Sequence, residues 1–290
     1  MRAVAVGGGH GTAVSLRALA RVADDVTGVV SVADDGGSTG RLRAMLDVAA
    51  VGDLRKCLGA LADPDNPLTA SFEHRFAVGE LAGHAVGNLL LVGLIDATGD
   101  LEESVRAVAQ VMGVRGTIVP ASCEGVVLVA STEDGPTRGQ SEVARSSSIR
   151  RLSVEPATVA APIAAVEAIE RADLVLIGPG SLYTSVLAAC VIPGILQALA
   201  GTRARTVHVA NLRPQVPETA GSTLEDHVEA LARHGVAPEV VLVDERSPYA
   251  QDPCSVEVTR ADIADGRGLV HDVQKLAEAV AALAATRGRT

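Results

Sequence analysis

The chain has 290 residues, of which 48% are hydrophobic and 21% charged, and its formal net charge is −10. This composition is typical of a folded globular protein and argues against a disordered chain. The excess of acidic groups also disfavours binding to nucleic acid or to an anionic membrane, so we expect neither kind of partner.

The sequence pattern offers no segment that would direct or anchor the chain. Its first residues, MRAVAVGGG, lack the long apolar run of a signal peptide. No apolar stretch reaches the roughly 18–20 residues that a membrane span needs. The four cysteines lie far apart and form no CxxC pair, which is typical of free thiols in a reducing compartment. We therefore expect a cytoplasmic protein with no integral membrane segment.

The first part of the chain alternates short apolar runs with helical patterns. The pattern predicts strands over residues 2–6 and 26–32 and a helix over residues 12–23. The chain is therefore expected to begin with a βαβ unit. A helical excursion then follows the second strand, and we expect its helices over 42–61, 67–82, 86–97 and 101–112.

Residues 114–158 have β-like runs separated by polar turns, which predicts a β-rich insertion within a single domain over 1–290. From residue 160 the alternation of strand and helix returns. We expect strands over 173–177, 205–210 and 239–244, and helices over 162–171, 184–200, 223–234 and 272–286. The pattern predicts an α/β, Rossmann-like three-layer fold with a mainly parallel sheet.

The first glycine-rich loop follows strand one and reads GGGHGT. Glycines there let backbone N–H groups approach phosphate oxygens, and the start of the next helix favours negative charge. The third glycine of the dinucleotide fingerprint is replaced by Thr12, so we do not expect NAD. The alternative is a tight strand-to-helix turn without a ligand. The candidate ligand-binding residues of this loop are Gly8, Gly9, His10, Gly11 and Thr12.

The second loop, ADDGGSTGR, follows strand two and has two adjacent carboxylates. Such a pair can hold a divalent cation, or one carboxylate can act as a base while the other stays ionised. The alternative is an acidic helix cap with a turn. The candidates here are Asp34, Asp35, Gly36, Gly37, Ser38 and Arg41.

A third motif, GDLRK over residues 52–56, places Asp53 and Arg55 at a predicted helix start. Plain capping by Asp53 is the alternative interpretation. His84 and Asn88 precede and begin the most apolar helix, where a histidine is as often a cap or packed residue as a ligand. Asn211 and Gln215 follow another buried strand.

The fourth loop, IGPGSLYTS, runs from a buried strand directly into a helix. Its hydroxyl groups stand beside the free N–H groups of that helix start, which predicts a phosphate cradle. A turn without a ligand is again the alternative. The candidates are Gly178, Gly180, Ser181, Leu182, Tyr183 and Thr184.

Taken in order, these motifs, with Glu218-Thr219, resemble the YvcK family of gluconeogenesis factors. That family shares a superfamily with the phospholactate transferases (CofD), and the resemblance covers about residues 2–245. It implies a Rossmann-like fold that binds a nucleotide sugar, such as UDP-GlcNAc or UDP-glucose, across the strand ends. It also implies a bacterial role in cell shape and cell-wall precursor supply during gluconeogenic growth.

In the transferase relatives, acidic residues after strand two and a later aspartate bind metal and serve the transfer reaction. Carried over to this sequence, the metal ligands would be Asp34, Asp35 and Asp53 with Mg²⁺, and the catalytic candidates would be Asp35 and Asp53. Two departures bear on the ligand: His10 stands where the family usually has threonine, and Pro217 where it usually has glycine.

Two functions therefore remain open. One is a factor that binds a nucleotide sugar without turning it over. The other is a Mg²⁺-dependent transferase that moves a phosphorylated group from a nucleotide diphosphate donor. A dinucleotide-dependent oxidoreductase rests on the first loop alone and is disfavoured. We also expect a homodimer, the commonest soluble assembly.

Overall fold

A parallel sheet of seven strands forms the centre of the protein, which we describe from a computed structural model covering residues 1–46 and 48–286. Its strands are β1 (Arg2–Gly7), β2 (Asp25–Val30), β3 (Thr117–Pro120), β7 (Leu174–Ile177), β8 (Arg205–Val209), β9 (Val240–Asp244) and β10 (Glu257–Ala261). A smaller antiparallel sheet contains β4 (Val127–Thr132), β5 (Gly135–Arg138) and β6 (Arg151–Glu155).

Helices cover the main sheet and make the protein a three-layer α/β structure, as predicted. They are α1 (Gly9–Leu19), α2 (Gly37–Leu46), α3 (Gly52–Leu61), α4 (Pro67–Phe72), α5 (Val86–Thr98), α6 (Leu101–Val111), α7 (Gln140–Ala144), α8 (Ile163–Glu170), α9 (Ala188–Cys190), α10 (Pro193–Gly201), α11 (Leu224–Arg233) and α12 (Val273–Thr286). The inner strands β7, β8 and β9 are buried at every residue, and β7 is accordingly apolar throughout, with the sequence LVLI.

The strand order places a topological switch point between β1 and β7. The order across the sheet is β10-β9-β8-β7-β1-β2-β3, so the chain builds outward from β1 in one direction and from β7 in the other. In open α/β sheets, ligands bind at the carboxyl ends of the strands beside such a point. The first and fourth glycine loops follow β1 and β7, and they therefore lie side by side there.

The insertion begins later in the chain than predicted. Thr117–Pro120 pairs in parallel with β2 and belongs to the main sheet, so the extra β structure starts after Pro120. The strand β10 was not predicted. Its residues are partly exposed along their length, as expected of an edge strand, and they give no apolar run in the sequence.

Three predicted helices have different limits in the structure. The helix expected over 42–61 is divided into α2 and α3, and the one expected over 67–82 ends at Phe72. Gly79 and Gly83 have φ angles of 74° and 79°, which an α-helix cannot contain. The helix expected over 184–200 begins at Leu182 with one π-helical turn and bends by 79° before α10.

Residues 73–85 form a closed loop instead of a helix, and we call them the site loop. Phe76 N–H donates to His84 O at 3.1 Å, and Gly83 N–H donates to Phe76 O at 2.8 Å. These bonds hold the two arms of the loop together.

Within residues 1–46 and 48–286, no single helix is long and apolar enough to cross a membrane. The bent pair Leu182–Cys190 and Pro193–Gly201 meets that test by length and composition only.

Candidate functional site

The glycine loops after β1 and β7 pack backbone against backbone at the switch point. A Cβ atom added to Gly11 would lie 2.0 Å from Pro179 O, and one added to Gly180 would lie 3.6 Å from Gly8 O. Ser15 Oγ also donates to Gly178 O at 2.7 Å and so holds the fourth loop against α1. Glycine at position 11 is therefore required by this close approach.

The remaining residues of the first loop divide into a buried and an exposed group. Thr12 is fully buried and its Oγ1 donates to Gly8 O at 3.1 Å, so it caps the loop internally. Gly9 is partly exposed and His10 is exposed. Partial desolvation of its imidazole ring, together with the charge of Lys56, nevertheless lowers the pKa of His10.

Three donor groups of the predicted phosphate cradle after β7 form hydrogen bonds with side chains of the protein itself. Glu218 accepts hydrogen bonds from Tyr183 N–H at 2.7 Å and from Thr184 Oγ1 at 3.0 Å. Gly180 N–H donates to Asn211 Oδ1 at 3.0 Å. These three donors are therefore engaged within the protein, and the phosphate cradle expected over Ser181–Thr184 stays a prediction.

The neighbouring candidates have structural partners as well. Leu182 and Tyr183 are buried, and Tyr183 Oη donates to Ile149 O at 3.0 Å. Asn211 Nδ2 donates to Gly180 O at 2.8 Å, and Gln215 N–H donates to Thr219 Oγ1 at 2.9 Å. These contacts hold the segment after β8 against the fourth loop.

The pH dependence of unfolding tests the buried Glu218. Burial raises the pKa of this carboxyl in the folded protein above its value in the unfolded chain. The folded protein is therefore more stable when Glu218 is protonated, and this stability is lost as the pH rises through the folded-state pKa. We expect Glu218→Gln to raise the free energy of unfolding at pH 7 by about 1 kcal/mol, and we expect the gain to vanish in acid. Denaturant unfolding at both pH values measures it. Glu229→Gln, at an exposed position of the next helix, is the matched control and should change neither value.

A basic cavity of about 560 Å³ lies beyond the carboxyl end of β2. The start of α2, the start of α3, the site loop and the first turn of α5 surround it. Four cationic side chains and one carboxylate line it, so its charge favours an anionic ligand. The lining residues are Asp34, Gly36, Gly37, Ser38, Thr39, Arg41, Gly52, Arg55, Lys56, Arg75, Gly83 and Asn88.

Each of the four cations is fixed by a partner beside the cavity. Arg55 is buried and forms an ion pair with Glu73, and Lys56 Nζ donates to Asp53 Oδ1 at 2.9 Å. Arg41 and Arg75 donate to the site-loop carbonyls Ala82 O and Gly83 O, both at 2.8 Å. The cations are thus held in place before any ligand arrives, which lowers the entropy cost of binding.

Of the four cations around the cavity, sequence reasoning named Arg41 and Arg55 as candidate ligand contacts and left out Lys56 and Arg75. Arg75 lay inside the helix expected over 67–82, which ends at Phe72. The glycines at 79 and 83 were the available signal, because they mark a loop that returns Arg75 to the cavity.

Asp34 lines this cavity, and Asp53 lies near enough for its charge to act on Asp34. A Cβ atom added to Gly52 would lie 2.7 Å from Asp34 Oδ2, and one added to Gly8 would lie 2.5 Å from Asp53 Oδ2. Burial raises the pKa of Asp34, and the nearby charge of Asp53 raises it further. Oxygen ligands of this kind fit Mg²⁺, which proteins bind through one or two carboxylates together with phosphate oxygens.

Asp35 has a structural contact and does not line the cavity. Its Oδ1 accepts hydrogen bonds from Ser141 N–H at 2.8 Å and Ser141 Oγ at 2.6 Å. Asp35 therefore anchors the β-rich insertion to the loop after β2, and the metal and catalytic roles expected of it stay predictions. Among the residues that the structure describes, no group of three or more His, Cys, Asp or Glu side chains could hold a metal ion by itself.

His84, Ser38 and Asn88 form a buried polar network on the wall of the cavity. Ser38 Oγ lies 3.0 Å from His84 Nδ1 and accepts a hydrogen bond from Asn88 Nδ2 at 3.1 Å. Burial lowers the pKa of His84, and the charges of Arg41 and Arg75 lower it further. The histidine is therefore neutral at neutral pH and positions Ser38.

Comparisons with known proteins agree with this fold. A family model described as 2-phospho-L-lactate transferase CofD matches residues 3–282. A crystal structure of a UPF0052 family member from Bacillus halodurans has a TM-score of 0.89 and 36% identity, covering 96% of this chain and 97% of that one.

Curated relatives carry the name expected from the sequence motifs. The gluconeogenesis factor of Halalkalibacterium halodurans is 40% identical over 82% of this chain and 76% of its own length, and that of Bacillus subtilis is 40% identical over 79% and 73%. A relative from Nostoc sp. is 42% identical over 86% of this chain, which spans only 56% of that relative's length. The chain therefore belongs to the CofD family and, within it, to the YvcK group of gluconeogenesis factors.

Proposed function

We propose that this gluconeogenesis factor binds a nucleotide sugar, UDP-GlcNAc or UDP-glucose, with the diphosphate in the basic cavity. The observation that carries the proposal is the ring of four fixed cations around that cavity. A diphosphate carries two negative charges on closely spaced oxygens, and Arg and Lys donors bind such groups with short, strong hydrogen bonds. The adjacent start of α3 adds backbone N–H donors.

Mg²⁺ is the cofactor that we propose for this site. Asp34 and Asp53 would hold it, and the phosphate oxygens of the ligand would complete its coordination. When bound, the ion neutralises charge on the diphosphate. The half-buried Asp34 supports this assignment, because its ionised form lacks a cationic hydrogen-bond partner among the described residues.

The wider role follows from the family and not from the cavity. We propose that ligand binding links nucleotide-sugar supply to cell shape and cell-wall precursors during growth on gluconeogenic carbon. Several expectations stay predictions: that neither NAD nor nucleic acid is a ligand, that the protein is cytoplasmic, and that it forms a homodimer.

A CofD-like transferase activity is the second candidate, favoured by the Asp34–Asp53 pair beside the cations. A metal bridging phosphate oxygens there would stabilise the charge that develops during transfer. Phosphorus NMR of UDP-GlcNAc with the protein and Mg²⁺ separates the two, with water as the acceptor. Signals of intact UDP-GlcNAc alone support a binding factor, and signals of a cleaved nucleotide support turnover.

Titration calorimetry tests the proposal directly. The ligands are UDP-GlcNAc, UDP-glucose, GDP and NAD, each with and without Mg²⁺. We expect the two UDP-sugars to bind, and to bind roughly tenfold more tightly with Mg²⁺, which corresponds to about 1.4 kcal/mol. Absence of binding by both UDP-sugars would refute the proposal.

Asn variants of the adjacent residues Asp34 and Asp35 form a matched test of Mg²⁺ binding. We expect Asp34→Asn to abolish the gain in affinity that Mg²⁺ gives, because it removes a ligand of the ion. Asp35→Asn should keep that gain, since Asp35 binds Ser141 outside the cavity. Equal loss in both variants would show that the carboxylate pair is assigned wrongly.

A further inference from the structure

Two residues that line the basic cavity each have a buried side-chain atom with no hydrogen-bond partner among the described residues: Asn88 Oδ1 and Arg55 Nε. The side chains of Asn88 and Arg55 are both buried, with 1% and 2% of their surface exposed. Buried polar atoms are nearly always paired in folded proteins, so each such atom calls for an explanation. Here both residues line the same cavity, which is open to a ligand.

The local network determines which atom of Asn88 is left over. Nδ2 donates to Ser38 Oγ, and Ser38 is held in turn by His84. The amide oxygen consequently lacks a donor. Asn88 stands in the first turn of α5, so the helix backbone fixes its position against the cavity.

The two unpaired atoms require opposite chemistry from a ligand. Arg55 Nε is a donor, and a phosphate oxygen would satisfy it. Asn88 Oδ1 is an acceptor, and an ionised phosphate has no hydrogen to offer it. A ligand that pairs both atoms must therefore have a hydroxyl or N–H group close to its phosphates.

We propose that Asn88 determines specificity by accepting a hydrogen bond from a ligand hydroxyl or N–H group next to the diphosphate. This inference rests on the proposed nucleotide-sugar function and goes further, because it excludes inorganic polyphosphate as the full ligand and names the residue that makes the distinction. The hydroxyl belongs either to the ribose or to the transferred sugar.

Calorimetry of Asn88→Leu with three ligands tests this assignment. Leucine has a similar size but no polar atom. We expect the affinity for UDP-GlcNAc to fall about tenfold, the usual cost of a lost hydrogen bond to a buried group. Pyrophosphate affinity should stay within about twofold of wild type, which also shows that the cavity is intact. Asn88→Ala, which cannot overpack the site, should give the same selective loss.

The third ligand, UDP, identifies the source of the hydroxyl. Equal losses for UDP and UDP-GlcNAc assign it to the ribose, and a loss for UDP-GlcNAc alone assigns it to the sugar. Equal losses for pyrophosphate and UDP-GlcNAc in both variants, or no loss for either, would overturn the role of Asn88.

Magnesium is the remaining arm of the test, because an amide oxygen can also bind this ion. The selective loss should be the same with and without Mg²⁺, and a loss that requires Mg²⁺ would assign Asn88 to the metal instead. If wild-type protein binds neither UDP nor UDP-GlcNAc, the proposed function itself fails. If it binds them but Asn88 shows no selectivity, only the present inference fails.

Discussion

Replacing Gly11 by alanine is expected to destabilise the fold by at least about 3 kcal/mol, the upper range for overpacked sites. The added methyl group would lie 2.0 Å from Pro179 O and 2.6 Å from Pro179 C, where real atoms never approach. Both neighbours are backbone atoms, so no side-chain rotation relieves the clash. The glycine loops after β1 and β7 would have to separate, and denaturant unfolding measures the cost.

Gly93→Ala is the matched control for this change. Gly93 lies within α5, and a Cβ atom added there meets no other atom within 4 Å. Alanine should therefore stabilise the helix by about 0.5–1 kcal/mol through its lower conformational freedom when unfolded. Similar effects at the two glycines would contradict the close packing of the loops.

Replacing Arg55 by methionine is expected to weaken UDP-GlcNAc binding roughly tenfold to a hundredfold, the range for a lost hydrogen bond to a charged group. Arg55 is the most buried cation of the cavity, and its Nε has no partner within the described part of the chain. Methionine keeps the aliphatic stem that packs against Gly87. Calorimetry with Mg²⁺ measures the change.

Folding should be affected much less than binding by this substitution. The partner Glu73 is 52% exposed, so water solvates its carboxylate after the ion pair is lost. Arg171→Met, at an exposed arginine that pairs with Glu167 on α8, is the control and should leave the affinity unchanged. If the Arg55→Met protein is folded and binds UDP-GlcNAc normally, the basic cavity is not the binding site.

The sequence predicted the parts of the fold whose apolar runs are continuous. Buried strands such as β7, with the sequence LVLI, and β9, with the sequence VVLVD, were found because nearly all their residues are apolar. The edge strand β10 was missed because it is partly exposed and mixes polar with apolar residues. Helix limits failed where glycines adopt positive φ angles, as at Gly79 and Gly83, whose presence was a signal for a loop that the predicted helix over 67–82 ignored.

The candidate site shows a different limit of sequence reasoning. The loop after β2 brings the candidates Asp34 and Ser38 to one cavity, as expected of residues at the carboxyl end of a strand. Asn88 reaches the same cavity from the first turn of α5. Side-chain direction was not predictable: Asp35, adjacent to Asp34, turns to Ser141 in the insertion. The sequence also did not show which protein groups would occupy the donors of the fourth loop. Glu218, from a distant segment, accepts hydrogen bonds from Tyr183 N–H and Thr184 Oγ1.

A crystal structure of the protein with UDP-GlcNAc and Mg²⁺ tests the central claim most directly. The account predicts diphosphate density in the basic cavity, within hydrogen-bond distance of Arg55 and Lys56, with Mg²⁺ between the phosphates and Asp34. Diphosphate density at another position, such as the loop that follows β7, with an empty basic cavity would contradict it.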